Sequence, residues 1–270
     1  MKSITSRENP QYKELRQLAT SSQARRKAGR TLLDGVHLCQ AYLEQRGAPA
    51  VCVVGEGARR HAEVAEIVAR CEAAHALCLV LPDALYHALS QVEHGVDVLF
   101  AIDTPAARAL PQLDAVLARP VVLLDNLQDP GNLGSILRSA AAAGVAAVYC
   151  SIGTAFAWSP KVLRAGMGAH FVLDIHENVD LEPLVRNAAV PVLATSSHAA
   201  ASLFETDLRQ PVAWLFGHEG QGVSQALLAL ATRRVVIPHL GQIESLNVAA
   251  SAAVCFFEQL RQRTGTAPGG

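Results

Sequence analysis

From residue 119 onward, short uninterrupted apolar runs recur between helix-like stretches: Val121–Leu124, Val145–Cys150, Val190–Ala194, Val212–Phe216 and Val235–Ile237. A strand made of such a run has no polar face. It has to be covered on both sides, which is the situation of a parallel sheet layered between helices. The segments between the runs supply those helices: Leu133–Ala143, Ala-rich and closed by Gly144; Pro160–Gly166, with proline at its start; and Ser245–Leu260. This rhythm predicts an α/β fold. A weaker alternation precedes it, with strands at Arg30–Asp34, Val51–Val54, Leu77–Leu81 and Val96–Ile102. Helices at Gln11–Ala19, His37–Gln45, Ala58–Cys71 and Pro82–Leu89 stand between and before them. The expected organisation is a small α/β domain over residues 1–103, a linker with two prolines over 104–118, a larger α/β domain over 119–262 and a Gly/Pro tail over 263–270.

Half of the residues are hydrophobic and 17% are charged, so the chain can bury a sizeable core and is not of the disordered class. No apolar run reaches the roughly 18 residues that span a bilayer, and the opening MKSITSRENPQYKEL lacks a secretory apolar core. A cytoplasmic, non-membrane protein is expected. The six cysteines are scattered through apolar stretches with no CxxC pair, which predicts buried reduced thiols and no metal site. The net charge of −1 hides an asymmetry: the first 30 residues hold eight basic side chains against two acidic ones, leaving −7 for the remaining 240. A basic arm of this kind is a candidate nucleic-acid contact, against the alternative of a merely solvated face.

Three blocks carry the chemistry. The first, VVLLDNLQDPGNLGSILRSAAAAGV (121–145), runs from a buried strand through an Asp-Pro-Gly-Asn turn into a helix whose free N–H groups suit an anion. Arg138 follows Asn132 by six residues, about 240° around a helix of ~3.6 residues per turn. The two therefore line one site only if Asn132 precedes the helix. The second block, LFGHEGQGVS (215–224), places Gly217, Gly220 and Gly222 after a strand, with Glu219 among them needing a donor or solvent. Its GxxGxG spacing is not the dinucleotide fingerprint, which argues against a nucleotide-dependent oxidoreductase. The third, IPHLGQIESLNVAASAAVCFFEQL (237–260), passes from a strand end through a Gly-containing loop into an Ala-rich helix, with Ser245 as candidate N-cap and Asn247 able to offer an amide.

These three blocks, in this order and spacing, resemble the three motifs of the SpoU/TrmH class of RNA 2′-O-ribose methyltransferases. The segment SPKVLRAGMGAHF (159–171) and the N-terminal stretch resemble further parts of such proteins, so the similarity spans about residues 4–260. Gly166 and Ala141 depart from the common pattern outside the motifs. The resemblance implies a small N-terminal RNA-binding domain and a catalytic domain with a parallel sheet and a deep trefoil knot, S-adenosylmethionine (SAM) as cofactor and a homodimer. It implies contacts to the cofactor from Thr195, Gly217, Ile237 and Leu246. The catalytic set would be Arg138, Asn132, Glu219, Ser245 and Asn247. Arginine rarely deprotonates, so Arg138 fits a phosphate clamp or a positive charge beside the developing alkoxide better than a base. Glu219 would hold Arg138 or accept the proton, and the sequence does not choose between them. Arg25, Arg26, Lys27 and Arg30 would grip RNA phosphates. Ribosomal RNA is the expected substrate, with transfer RNA next. A catalytically inactive RNA-binding module is the alternative outside enzymes.

Overall fold

The computed structural model describes residues 1–92, 95–105 and 119–265. The expected linker 104–118 therefore lies, from residue 106 on, outside the described residues, as do residues 266–270 of the expected tail. The chain divides into two compact units, one of residues 1–106 with 158–171, the other of 107–157 with 172–270.

The first unit holds β1 (Lys2–Ser3), α1 (Pro10–Thr20), α2 (Ser22–Ala28), β2 (Arg30–Asp34), α3 (Val36–Gln45), β3 (Val51–Gly55), α4 (Ala62–Ala73), β4 (Leu77–Leu81), α5 (Asp83–His87) and β5 (Val98–Asp103). The strands form one sheet in the order β1-β4-β3-β5-β2. The pairs β1/β4 and β3/β4 are parallel, and β5 is antiparallel to both β3 and β2. Tyr12, Leu15 and Leu18 of α1 pack with Leu32, Val53, Leu79 and Leu99 on one face of that sheet. Residues 158–171 belong here although they follow a strand of the second unit in sequence. Thr31 Oγ1 donates to the Trp158 carbonyl at 2.7 Å, Arg164 Nη1 donates to Gln91 Oε1 at 3.1 Å, and Phe171 meets the Tyr42 ring edge-on. The sequence reading placed this segment in the second domain because chain order alone does not show which core a short amphipathic helix joins.

The second unit continues with β6 (Val121–Leu124), α6 (Pro130–Ala142) and β7 (Ala147–Ser151). After α7 (Pro160–Gly166), which lies in the first unit, come β8 (Asp174–Val179), α8 (Leu181–Arg186), β9 (Val192–Thr195), β10 (Ala201–Ser202), β11 (Ala213–Phe216), α9 (Gln225–Leu230), β12 (Arg233–Val236) and α10 (Val248–Thr264). All pairings in its seven-stranded sheet, ordered β10-β12-β9-β11-β6-β7-β8, are parallel. The α/β class is as expected, and the trefoil knot implied by the resemblance fits this fold family. β6 and β11 are buried along their whole length, as their unbroken apolar sequences require. On one face, Leu123, Tyr149, Leu184, Ala194, Leu215 and Leu227 form a continuous core; each such leucine removed from water contributes ~1.5–3 kcal/mol. Helices α6 and α10 pack on each other, and buried Trp214 donates its indole N–H to Gln259 of α10 at 2.9 Å.

Three helices start the same way, with a capping side chain followed by proline at the first helical position: Asn9-Pro10, Asp129-Pro130 and Ser159-Pro160. The Asp-Pro-Gly-Asn turn of the first block is thus the start of a helix. β8, not expected from the sequence, is the edge strand DIHENV, whose polar residues suit exposure and mask the strand pattern.

Candidate active site

Helix α6 begins one turn earlier than its apolar pattern suggests. Asp129 is its N-cap, with Oδ1 accepting from the Asn132 amide at 2.8 Å. Asn132 is therefore inside the first helical turn, and the condition that it precede the helix is not met. Arg138 lies on the same helix, about 240° round and ~9 Å further along the axis. Its side chain is exposed and is not among the residues lining the cleft described below.

The first turn of α6 meets the glycine loop through Glu219. Glu219 Oε1 accepts from the Asp129 N–H at 2.9 Å and from Asn132 Nδ2 at 3.2 Å; Oε2 accepts from the Gln128 N–H at 3.1 Å. A carboxylate at a helix start is a favourable anion position. Partial burial opposes its ionisation, but the Asp129 and Gln128 N–H groups and the Asn132 amide outweigh that, and the Glu219 pKa is lowered. The donor Glu219 needs is thus the backbone of the first block rather than Arg138.

Asn132 passes the connection on. Its Oδ1 accepts from Asn247 Nδ2 at 2.9 Å, while Asn247 Oδ1 accepts from the N–H groups of Ala249 and Ala250 at 2.9 and 3.2 Å. Both amide orientations follow: the Asn247 oxygen is committed to capping α10, so its NH2 points to Asn132, whose NH2 points to Glu219. The N-cap of α10 is therefore Asn247, not Ser245, which lies in the preceding loop. One residue from each of the three sequence blocks enters this relay.

The glycine loop is held at both ends. Asp125 Oδ2, at the end of β6, accepts from the Ser224 N–H at 2.8 Å. His218 and Gly222 exchange paired backbone hydrogen bonds of 3.0 and 2.8 Å. At Gly217 a Cβ would overlap the backbone of Gly222 and Val223, so glycine there is required by the loop's own fold. Gly222 takes a φ of +69°.

These elements wall a cleft of about 970 Å³. Thr195, Gly217, Ile237 and Leu246 all line it, together with Asn132, Glu219, Ser245 and Asn247. The structure therefore brings together eight of the nine expected catalytic and cofactor residues and leaves Arg138 apart. It also adds His198, His218, His239 and Glu244, which sequence reasoning missed. The histidine within GHEGQG was open to notice as the one ring in a glycine loop; nothing in the sequence singled out His239. The size is at the upper end of small-molecule pockets. The lining fits SAM: hydroxyls of Thr195, Ser196 and Ser197 for a ribose and amino-acid part, apolar Val236, Ile237 and Leu246 for a flat base, and the carboxylate of Glu244 for a cationic centre.

The basic arm divides. Arg25 is buried, with Nη1 donating to the Leu18 and Ala19 carbonyls at 2.6 and 3.4 Å, and burial lowers its pKa. Arg30 is held by Asp103 and Glu14 at 2.8 and 3.1 Å. Arg25 cannot reach a phosphate, because it closes the carboxyl end of α1. Arg30 already has two carboxylates. Arg26 and Lys27, in the last turn of α2, are exposed. Among the described residues no helix is long and apolar enough to cross a membrane, and no group of three or more His, Cys, Asp or Glu side chains is placed to hold a metal.

The profile of the SpoU rRNA Methylase family matches residues 119–257, slightly more than half of the chain. An uncharacterized tRNA/rRNA methyltransferase of Synechocystis sp. is 35% identical over 97% of this chain and 94% of its own length. The 23S rRNA (guanosine(2553)-2′-O)-methyltransferase RlmP of Bacillus subtilis is 31% identical over 95% of this chain and 98% of its own. The crystal structure of an AdoMet-bound rRNA methyltransferase from Sinorhizobium meliloti superposes with a TM-score of 0.82 at 26% identity, covering 99% of both chains. With three motif blocks meeting in one cleft and matches along nearly the whole chain, the protein belongs to the SpoU rRNA methylase family and is a SAM-dependent RNA methyltransferase.

Proposed function

We propose that the chain methylates a ribose 2′-hydroxyl of large-subunit ribosomal RNA in the cytoplasm, as a homodimer, with the cofactor in the cleft between the glycine loop and the start of α10. The observation that carries this reading is the relay Glu219–Asn132–Asn247, which ties all three motif blocks into the wall of that cleft. The B. subtilis relative supports the substrate class by its own activity on 23S rRNA.

SAM supplies a methyl group on a positively charged sulfur, ready for in-line displacement. The protein has to hold the cofactor and to orient a poorly nucleophilic hydroxyl. Thr195, Gly217, Ile237 and Leu246 hold the cofactor by backbone groups and apolar contact. Ser245, exposed in the loop before the Asn247 cap and lining the cleft, orients the ribose. Asn132, Glu219 and Asn247 act as positioning residues, since their polar atoms are engaged with one another and with backbone. Arg138 supplies positive charge at the developing alkoxide or at the neighbouring phosphate. Because it does not line the cleft of its own protomer, it reaches the reacting groups through RNA laid across α6 or in the cleft of a second copy. Exposed Leu240, Ile243 and Phe257 offer apolar surface for such a copy to cover. Arg26 and Lys27 make the phosphate contacts of the first unit.

The test is transfer of labelled methyl from SAM to total RNA of cells lacking the gene, followed by nuclease digestion and nucleoside analysis. Label in a 2′-O-methyl nucleoside of 23S rRNA is expected. Label on a base overturns the reaction, and 2′-O-methyl label confined to transfer RNA overturns the substrate.

A further inference from the structure

At the carboxyl ends of β6 and β7, two side-chain amides hold each other in fixed orientations. Gln128 Nε2 donates to the Gly153 carbonyl and to Asn126 Oδ1, each at 2.8 Å. The Gly153 carbonyl only accepts, so the Gln128 nitrogen must face it, and the Asn126 atom meeting that nitrogen must be oxygen. The remaining amide atoms are Gln128 Oε1, an acceptor, and Asn126 Nδ2, a donor. Among the described residues neither of these two atoms has a hydrogen-bond partner. The backbone is shaped around the pair. Asn126 takes a φ of +56°, uncommon for a residue other than glycine, and its N–H donates to Ser151 Oγ at 2.8 Å. Gly153 has a φ of +91°, and a Cβ there would stand 2.6 Å from Asn126 Oδ1, so a side chain at 153 would displace the asparagine amide. A lone exposed isoleucine is ordinary, but Ile152, 71% exposed, stands directly beside this pair in sequence, before Gly153.

We propose that Asn126, Gln128 and Ile152 form the subsite that reads the base of the nucleotide being methylated, its edge on the amide pair and its face against Ile152. This rests on ribose 2′-O-methylation in the neighbouring cleft. Phe216, Leu124 and Cys150 stand level on the adjacent parallel strands β11, β6 and β7. The loops leaving β6 and β7 therefore start about 5 and 10 Å from the glycine loop that leaves β11. Ligands of such sheets bind outside these carboxyl ends. Gln128 also meets the cleft wall through its backbone, its N–H donating to Glu219 Oε2 at 3.1 Å. Neither amide lines the cleft itself, which leaves them for the part of the nucleotide beyond the ribose. An unstacked base is read by hydrogen bonds to its Watson–Crick edge and by apolar contact with its face. A fixed acceptor beside a fixed donor matches a base that offers an N–H and a lone pair in the complementary order. Guanine and adenine present opposite orders, as do uracil and cytosine. One base of each couple is matched, and the other sets like groups against like.

The experiment uses the full chain and the RNA that takes up label from SAM in total RNA of cells lacking the gene. That RNA is rebuilt by ligation with the original base, the base of opposite order, or no base on an intact ribose at the methylated nucleotide. Methyl transfer is measured as kcat/KM for wild type, Asn126→Gly, Gln128→Leu and Ile152→Ser, and SAM affinity by calorimetry. Glycine accepts the positive φ at 126, so that variant removes the amide without straining the loop. Wild type is expected to lose about ten- to a hundredfold on the exchanged and the abasic RNA. Asn126→Gly and Gln128→Leu are expected to lose a similar factor on the original RNA and little more on the other two, as groups in direct contact do, with SAM affinity unchanged. Ile152→Ser is expected to slow transfer to the original RNA and leave the abasic one alone. A mere support of the loop would lower all three RNAs alike. Ribose methylation that ignores the base, amide variants that keep the wild-type base preference, or loss of SAM binding in both of them overturns the subsite and leaves the function standing. Absence of label in any ribose overturns the function and the subsite with it.

Discussion

The cleft of the second unit and the basic arm of the first were both marked by polar residues in the sequence, and they turn out differently. In the cleft, Asn132, Glu219 and Asn247 come from blocks separated by 87 and 115 positions from Asn132, and they meet in one hydrogen-bonded line. In the arm, four basic residues lie within six positions, and Arg25 at the end of α1 and Arg30 between Asp103 and Glu14 are consumed by the fold. A spaced motif reports on where chain segments converge. A charge run reports on composition alone, and says nothing about which guanidinium turns inward.

The contrast can be broken most severely at Arg138, the one expected catalytic or cofactor residue that does not line the cleft. Arg138→Ala is expected to lower methyl transfer by about 10²-fold or more, as loss of a charge-stabilising donor does, with SAM affinity unchanged by calorimetry. A loss of SAM affinity would mean that Arg138 contacts the cofactor. Arg25→Leu is expected to cost about 2–3 kcal/mol in urea unfolding through the unpaired Leu18 and Ala19 carbonyls, with the salt dependence of RNA binding unaltered. Replacing Arg26 and Lys27 together by Ala should do the reverse, lowering the log–log salt slope by about one or two. If Arg25→Leu changes the slope instead, the division of the arm is wrong.

Glu219→Gln places an amide nitrogen against the Gln128 or Asp129 N–H and should cost about 1–2 kcal/mol. Because the folded pKa of Glu219 is lowered, its contribution is fully present above the ordinary carboxylate value and fades as pH falls below it. Urea melts of wild type and Glu219→Gln should therefore converge toward acid and diverge toward neutrality. The smallest effect separates the two candidate caps of α10. Asn247→Ala should cost about 1 kcal/mol and Ser245→Ala under about 0.5 kcal/mol, read by the same melts.

Much of the architecture was legible because parallel strands buried on both faces are written as unbroken apolar runs, as in Val121–Leu124 and Ala213–Phe216. The edge strand β8 was not, since DIHENV has the polarity of a loop. Eight site residues were legible through the motif resemblance and share the cleft. Their roles were not: whether Asn132 sits before or inside α6 depends on a cap at Asp129, and whether Glu219 holds an arginine or a helix start depends on which donors fold brings near. The amide pair of Asn126 and Gln128 rests on loop conformations that no periodicity encodes.

Residues 158–171 bear on how such a chain can be cut or inherited. Trp158, Val162, Leu163 and Phe171 are buried, and they belong to the compact unit of residues 1–106 although β7 precedes them and β8 follows. The boundary between the units is thus crossed more than once, and severing the chain within 104–118 would not separate two self-sufficient halves. A fragment starting at residue 119 would carry this stretch with the Phe171 ring stripped of Tyr42 and the Trp158 carbonyl stripped of Thr31, a recipe for aggregation. By the same reasoning, a shorter descendant that discarded the first unit would have to rewrite this segment as a polar one, and sequence change there would record the loss.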